Sequence, residues 1–251
     1  LKLLLENNIN LAGFHLPLDA HLEIGNNASL CKLLRIKNIK SFYVVSEALE
    51  NSLNKVGCTK TVCVVPNGAP QKIMDMSFSL KRQDKELIFF GNLRSYNDFG
   101  SFSRLAGIFT EIFIFGSGEE ECNIAQLTQY HSNVHLCGEA NLAELEAFVK
   151  SRACMCFGIV PVKKDIDNSF LSPIKLFDYS AIGLPVLVSD AVSLSQVSNH
   201  LIQYSSISDI AEYLGTTDVK NYYELREQAF IFADENSWAA RMLILKNQIG
   251  Q

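Results

Sequence analysis

The stretch Ser172-Pro-Ile-Lys-Leu-Phe-Asp-Tyr-Ser-Ala-Ile-Gly-Leu-Pro-Val-Leu-Val-Ser189 constrains the fold more than any other part of the chain. It sets a helix start, an apolar helix face, a glycine stop and a β-branched run in immediate succession. Ser172 is a good N-cap, and Pro173 suits the first helical turn, where its missing N–H costs nothing. Leu176, Phe177, Tyr179 and Ala181 give the helix an apolar side, and Gly183 ends it. Val186 to Val188 is then short and branched enough for a central parallel strand. A helix running straight into a buried strand commits the chain to an α/β architecture. Chemistry is expected at the front of that helix. First-turn amides, the Ser172 hydroxyl and Lys175 point at one spot, where an anion would be held. Asp178, one turn on, can accept hydrogen bonds from a ribose diol.

The rest of the chain repeats the alternation. Phe42 to Val45 reads as a buried strand, Ser46 as an N-cap, Glu47 to Val56 as a helix and Thr61 to Val65 as the next strand, closed by Pro66-Asn-Gly-Ala-Pro70. Polar residues 71–86 read as a linker. Leu87 to Phe90 is a continuous apolar strand with Gly91 at its carboxyl end, where ligands of open α/β sheets bind and where a glycine lets backbone approach phosphate. A helix is expected from Phe102 to Ile108, a strand over Glu111 to Phe115 followed by Gly116-Ser-Gly118, a strand over Val134 to Gly138, a helix over Leu142 to Lys150 and a strand over Cys154 to Phe157. Val160 to Asn168 reads as a loop whose Lys163 and Lys164 can screen a diphosphate. Leu201 to Tyr204 is a last strand. Helices over Ile207 to Leu214, Tyr222 to Phe232 and Ser237 to Lys246 close the chain. Strands separated by helices throughout predict an α/β fold with a Rossmann-like parallel sheet covered by helices on both faces.

Residues 172–189 resemble the donor-nucleotide site of GT-B glycosyltransferases, whose C-terminal domain carries Ser-Pro-x-Lys-x-x-Glu-Tyr-x-Ala-x-Gly-x-Pro-Val. The family's glutamate is Asp178 here, one methylene shorter. The resemblance covers about residues 41–251. It implies a chain made of the C-terminal half of a GT-B fold preceded by a partial α/β segment, and a nucleotide-diphosphate sugar as donor. Residues 1–70 would be a remnant of an N-terminal domain, 71–86 a linker, 87–236 the nucleotide-sugar-binding domain and 237–251 a crossover helix. The implied binding residues are Gly91, Asn92, Arg94, Gly116, Gly118, Ser172, Pro173, Lys175, Leu176 and Asp178, with His135 to Gly138 near the base. Such enzymes need no bound metal, so neither a metal nor another cofactor is expected at that site. The catalytic residues, the base, the sugar and the acceptor stay open.

The first forty residues are similar to a different family. Asn10-Leu-Ala-Gly-Phe-His-Leu-Pro-Leu-Asp-Ala-His21, followed by Gly25-Asn-Asn-Ala28, resembles the dinuclear-metal proteins called type-2 GTP cyclohydrolase I or Nif-three-like. That resemblance makes Asp19 a metal ligand. His15, Asp19, His21 and Glu23 by themselves also form a set that suits zinc or another transition ion. The family draws further ligands from a His-His pair and a His-x-x-x-Glu helix. This chain has no His-His pair, and its His135 and Glu139 straddle Gly138 at an expected strand end. The alternative to a metal site is a strand–loop–helix in which His15 and Asp19 satisfy a turn.

With a net charge of −5 over 251 residues and no basic block, nothing suggests a nucleic-acid surface, and no nucleic-acid partner is expected. No apolar run reaches the roughly 18–20 residues of a membrane helix. The seven cysteines include no Cys-x-x-Cys pair, and Cys154 and Cys156 alternate in a strand as small core residues facing one side. A reducing cytosol is the expectation. The chain begins at Leu1 rather than Met, so a missing N-terminal part is expected. The main functional expectation is therefore a glycosyltransferase donor half, weak or inactive alone, with a homodimer or a separate N-terminal domain completing it. A metal-dependent hydrolase-like protein and a non-catalytic nucleotide-binding module are the alternatives.

Overall fold

A computed structural model describes residues 15–18, 41–55, 57–70, 78–164, 173–192, 194 and 198–249. The chain divides into two compact units. One comprises Leu1–Asn67, Ser169–Ser172 and Arg241–Gln251; the other comprises Gly68–Asn168 and Pro173–Ala240.

The first unit holds a three-stranded parallel sheet in the order β1 (His15–Leu18), β2 (Ser41–Val44), β3 (Thr61–Val64). His15 therefore lies in a strand, paired in register with Ser41, and not in the turn expected for it. Helix α1 (Glu47–Lys55) opens where the Ser46 hydroxyl accepts the Leu49 N–H at 3.3 Å, and it buries Leu49 and Leu53.

The second unit is built on six parallel strands: β4 (Lys85–Phe90), β5 (Glu111–Phe115), β6 (Val134–Gly138), β7 (Met155–Val160), β8 (Val186–Ser189) and β9 (Leu201–Tyr204). Their order across the sheet is β6-β5-β4-β7-β8-β9, and every neighbouring pair is parallel. Counted within the unit this is 3-2-1-4-5-6, the doubly-wound Rossmann order, which reverses direction between β4 and β7. Period-2 alternation divides the strand side chains between two cores. Ile88, Phe113, Phe115, Cys154, Cys156, Val160, Val186 and Val188 enter one. Leu87, Phe89, Ile112, Ile114, Met155, Phe157, Ile159 and Leu187 enter the other.

Helices α4 (Leu142–Arg152) and α5 (Ile174–Ala181) cover the first core, through Leu145, Val149, Leu176, Phe177 and Tyr179. Helices α2 (Phe102–Leu105), α3 (Glu121–Tyr130) and α6 (Ile207–Thr216) cover the second, through Phe102, Leu105, Ile124, Ile210 and Leu214. The long α7 (Val219–Glu235) serves both, placing Tyr222 in the second and Phe232 and Ala233 in the first. The last helix, α8 (Trp238–Ile249), starts where the Ser237 hydroxyl accepts the Ala240 N–H. Its first residue is pinned by backbone bonds, Ala69 N–H to Asn236 O at 2.8 Å and Trp238 N–H to Ala69 O at 3.0 Å. Gly68 lies against Trp238 so closely that a Cβ would sit 3.0 Å from the indole.

Three further sequence expectations need correction, and one helix was not expected at all. The helix expected to reach Ile108 stops at Leu105, after a 3₁₀ turn over Phe99–Ser101 that the Asp98 side chain caps. β7 extends to Val160, so the following loop starts one residue later than expected. Helix α3 has no counterpart in the sequence reading: it has no side-chain cap and buries Ile124 alone, so its periodicity is faint. Pro173 is itself the N-cap residue of α5, with extended backbone, and not its first helical residue. Ser172, expected to cap the helix, lies outside the described residues, as do Asp19, His21 and Glu23.

Candidate functional site

The site follows from the strand order. At a reversal point two neighbouring strands feed connections to opposite sides, and a crevice opens at their carboxyl ends. β4 and β7 pair only over Lys85–Ile88 and Met155–Gly158. Beyond Ile88 they part, and Tyr179 of α5 fills the gap. Its hydroxyl accepts the Phe90 N–H at 2.7 Å and faces the carbonyls of Ile88 and Ile159 at 3.3 and 3.4 Å. The ring lies on Gly158, where a Cβ would come within 2.7 Å of it. The tyrosine is fully buried, and burial holds its phenol far above the ordinary range, so it serves as a neutral wedge. The sequence showed it only as part of an apolar helix face.

Locked in that way, α5 points its first turn at the carboxyl ends of the strands, where helix-start amides lack intrahelical partners. Lys175 lies across the end of β4, with its Cε 2.7 Å from where a Cβ at Gly91 would stand. Its ammonium is 5.2 Å from the centre of the Phe89 ring and 6.0 Å from that of Tyr96. Desolvation lowers its pKa to about 8, against a smaller opposing pull from Asp178. Asp178, also half-buried, is raised to about 6, again chiefly by desolvation. Both groups, of opposite sign, are moved toward neutrality by desolvation.

The glycines supply room, not donors. Gly91 has φ +131° and spends its N–H on Phe115 O at 3.0 Å. Gly116, at φ +144°, would put a Cβ 2.0 Å from Gly91 O, so the ends of β4 and β5 touch backbone to backbone. Gly118 packs on the Leu93 backbone. Asn92 and Arg94 are exposed on the loop after β4, their carbonyls accepting from the Asn97 side chain at 3.4 and 3.2 Å. Leu176 turns into the core, leaving only its backbone near the helix start. The structure thus brings Lys175 and Gly116 against Gly91 at the carboxyl end of β4, with Asp178 close enough to act on the Lys175 charge.

Other expected participants are engaged elsewhere. Lys164 pairs with Asp190 at 2.9 Å. His135 pairs with Glu111 at 2.6 Å and stacks on Phe113, whereas Glu139 accepts from the Ser117 hydroxyl. The two residues with His-x-x-x-Glu spacing therefore bind different partners, and among the described residues they do not form a metal centre. A polar cluster that sequence reading missed is buried behind α5. His200, fully buried, sits between the Ser180 and Ser198 hydroxyls at 2.8 Å each. Ser180 donates to Leu176 O, so it accepts from Nε2–H, and Nδ1 receives the Ser198 hydroxyl. Burial lowers the imidazole to about 4.

Comparison with solved structures bears out the fold class. The chain is similar to HepE of Anabaena in complex with UDP and glucose, at 13% identity and TM-score 0.63 over 92% of this chain and 68% of that one. It is also similar to the pneumococcal O-GlcNAc transferase GtfA in complex with UDP and GlcNAc, at 14% identity and TM-score 0.58 over 90% of this chain and 47% of the other. At such identities the likeness concerns the fold alone. In sequence, the "GTP cyclohydrolase 1 type 2 homolog" of Haemophilus influenzae is 62% identical over 40 residues, 16% of each chain. The chain thus spans about a sixth of the curated relatives it matches. The sequence profile of the Duf34/NIF3 (NGG1p interacting factor 3) family matches residues 1–214. By that match, which covers most of its length, the chain belongs to the Duf34/NIF3 family.

Proposed function

We propose that the unit built on β4 to β9 binds the diphosphate of a nucleotide-sugar in the crevice between β4 and β7, and that the sugar is its transferable group. The observation that carries this reading is Lys175 lying across Gly91 at the reversal point of the sheet. A diphosphate there would meet the ammonium and the first-turn amides together, and the same groups would stabilise it as a leaving group. Asp178 would accept from the ribose. The proposed contact set remains Gly91, Asn92, Arg94, Gly116, Gly118, Ser172, Pro173, Lys175, Leu176 and Asp178. Among these, the Leu176 N–H is already held by Pro173 O at 3.1 Å, and Gly91 and Gly116 act through the space they leave.

A thermal-shift series with UDP, GDP, ADP and CMP tests the reading. A nucleotide at a hundred times its Kd stabilises the fold by about 2.7 kcal/mol. The shift is expected with one diphosphate and is lost in Lys175→Met. Because desolvation opposes the lysine's charge, the same variant is expected to melt no lower than wild type without ligand. A nucleotide shift that survives in Lys175→Met would refute the site.

Family membership favours a second reading, a metal-dependent hydrolase-like protein of the Nif-three type, with Asp19 as a ligand. Stoichiometric zinc or manganese lost in Asp19→Ala would support it. The described residues supply no complete centre for it, so no chemical step is derived from that metal.

A further inference from the structure

At the amino ends of β4 and β7, opposite the glycine turns, three donors meet in the first core. Glu86 and Cys156 are register partners on neighbouring strands, and Cys154 precedes Cys156 by two residues on the same face. All three are 0% exposed, and their ligating atoms lie within 4.8 Å of one another. The two sulfurs are 3.7 Å apart. Two Zn–S bonds of about 2.3 Å at a tetrahedral angle require about 3.8 Å between the sulfurs. The same spacing is an ordinary contact between two core thiols, so the carboxylate beside them is what sets this cluster apart.

The carboxylate is also held as a metal ligand's would be. Arg152, from the last turn of α4, grips Glu86 with Nε and Nη2, each at 2.7 Å, and Arg82 adds a contact at 3.2 Å. Such outer partners orient a ligating carboxylate, and with two bonds on Oε1 and one on Oε2 they leave one lone pair, on Oε2, for an ion. Both arginines are partly exposed, with side chains 45% and 27% accessible.

We propose that Glu86, Cys154 and Cys156 form a binding site for a thiophilic divalent cation of the zinc class, with Arg152 as the positioning residue. The charges balance. Without metal, Glu86⁻ faces the partly exposed Arg152 and Arg82, and the buried Arg226 acts on Cys156. When the ion enters, each thiol gives its proton to solvent. Two protons leave as one dication enters, so the net charge of the cluster is the same before and after.

The test uses the full chain, reduced and dialysed against buffered zinc. Bound zinc should fall by one equivalent in Cys154→Ala and in Cys156→Ala. It should be unchanged in Cys122→Ala, Cys137→Ala and Asp19→Ala, which separates this site from a Nif-three-type centre. X-ray absorption at the zinc edge of the wild-type protein should show two sulfurs at about 2.3 Å and oxygen at about 2.0–2.2 Å. That measurement decides the matter even where an alanine variant fails to fold. A zinc shell without sulfur, no zinc uptake, or uptake unchanged in both cysteine variants would overturn the proposal.

Discussion

Tyr179→Phe removes a single oxygen and tests how the reversal point is held together. In the native fold that oxygen receives the Phe90 N–H at 2.7 Å, at the height where β4 has already parted from β7. Phenylalanine fills the same volume but leaves this amide facing a ring edge in a region closed to water, since Tyr179 is 0% exposed. An orphaned buried donor costs about 1–3 kcal/mol. In a chain of this size each kcal/mol lowers Tm by roughly 2–4 °C, so a fall of several degrees is expected in differential scanning calorimetry. The ring makes a separate contribution, read through Gly158. Alanine there brings a methyl to 2.7 Å from the tyrosine ring, an overpacking that costs about 1–3 kcal/mol. Because both changes act on one contact, Gly158→Ala combined with Tyr179→Leu should lose less than the sum of the two single losses, by at least about 0.5 kcal/mol. A Tyr179→Phe melting point equal to wild type, or strict additivity in the cycle, would show that the wedge does not hold the strands.

Other outcomes follow from the same contacts. His200 is neutral in the fold with a pKa of about 4, against about 6.5 unfolded. The unfolded chain therefore binds more protons between those values, and stability is full above about pH 6.5. It falls by up to about 3 kcal/mol as pH drops to 4; urea titrations across that window should show the slope, and His200→Gln should flatten it. Gly116→Ala should disturb both the fold and the nucleotide response, because its methyl would stand 2.0 Å from Gly91 O at a φ that L-residues rarely adopt. Unchanged melting would argue against the backbone contact. Arg152→Met leaves Glu86 buried with only the longer Arg82 contact, and losing one partner of a buried pair costs about 3–5 kcal/mol; chemical denaturation would measure it. Diphosphate binding should weaken as pH rises through about 8, where Lys175 loses its proton. Titration calorimetry at pH 7 and 9 checks that direction.

Local physics alone determined much of this protein. A strand buried on both faces reads as an unbroken apolar run bounded by glycine or polar residues, so Glu111–Phe115 was legible to the residue; the edge strands Val134–Gly138 and Leu201–Tyr204, only partly buried, were legible from their short β-type runs between turn residues. The stop of α5 was equally plain, because Gly183 takes a positive φ of 70° that favours glycine. The lysine and glycines of the crevice were legible as types at strand ends and a helix start. What they touch was not. Gly91 and Lys175 meet only because the sheet runs 3-2-1-4-5-6, an order set by how helices and strands pack and not by any local period. Tyr179 looked like one apolar residue among several until the parting of β4 from β7 gave its hydroxyl an amide to satisfy. Glu86 looked like a polar end to a linker until sheet register put Cys156 beside it and α4 brought Arg152 across. Helix α3 stayed hidden because one buried residue leaves no stripe to read. Periodicity reports how much of each element is buried; which distant residues share that burial is decided by strand order, and the crevice is a product of that order.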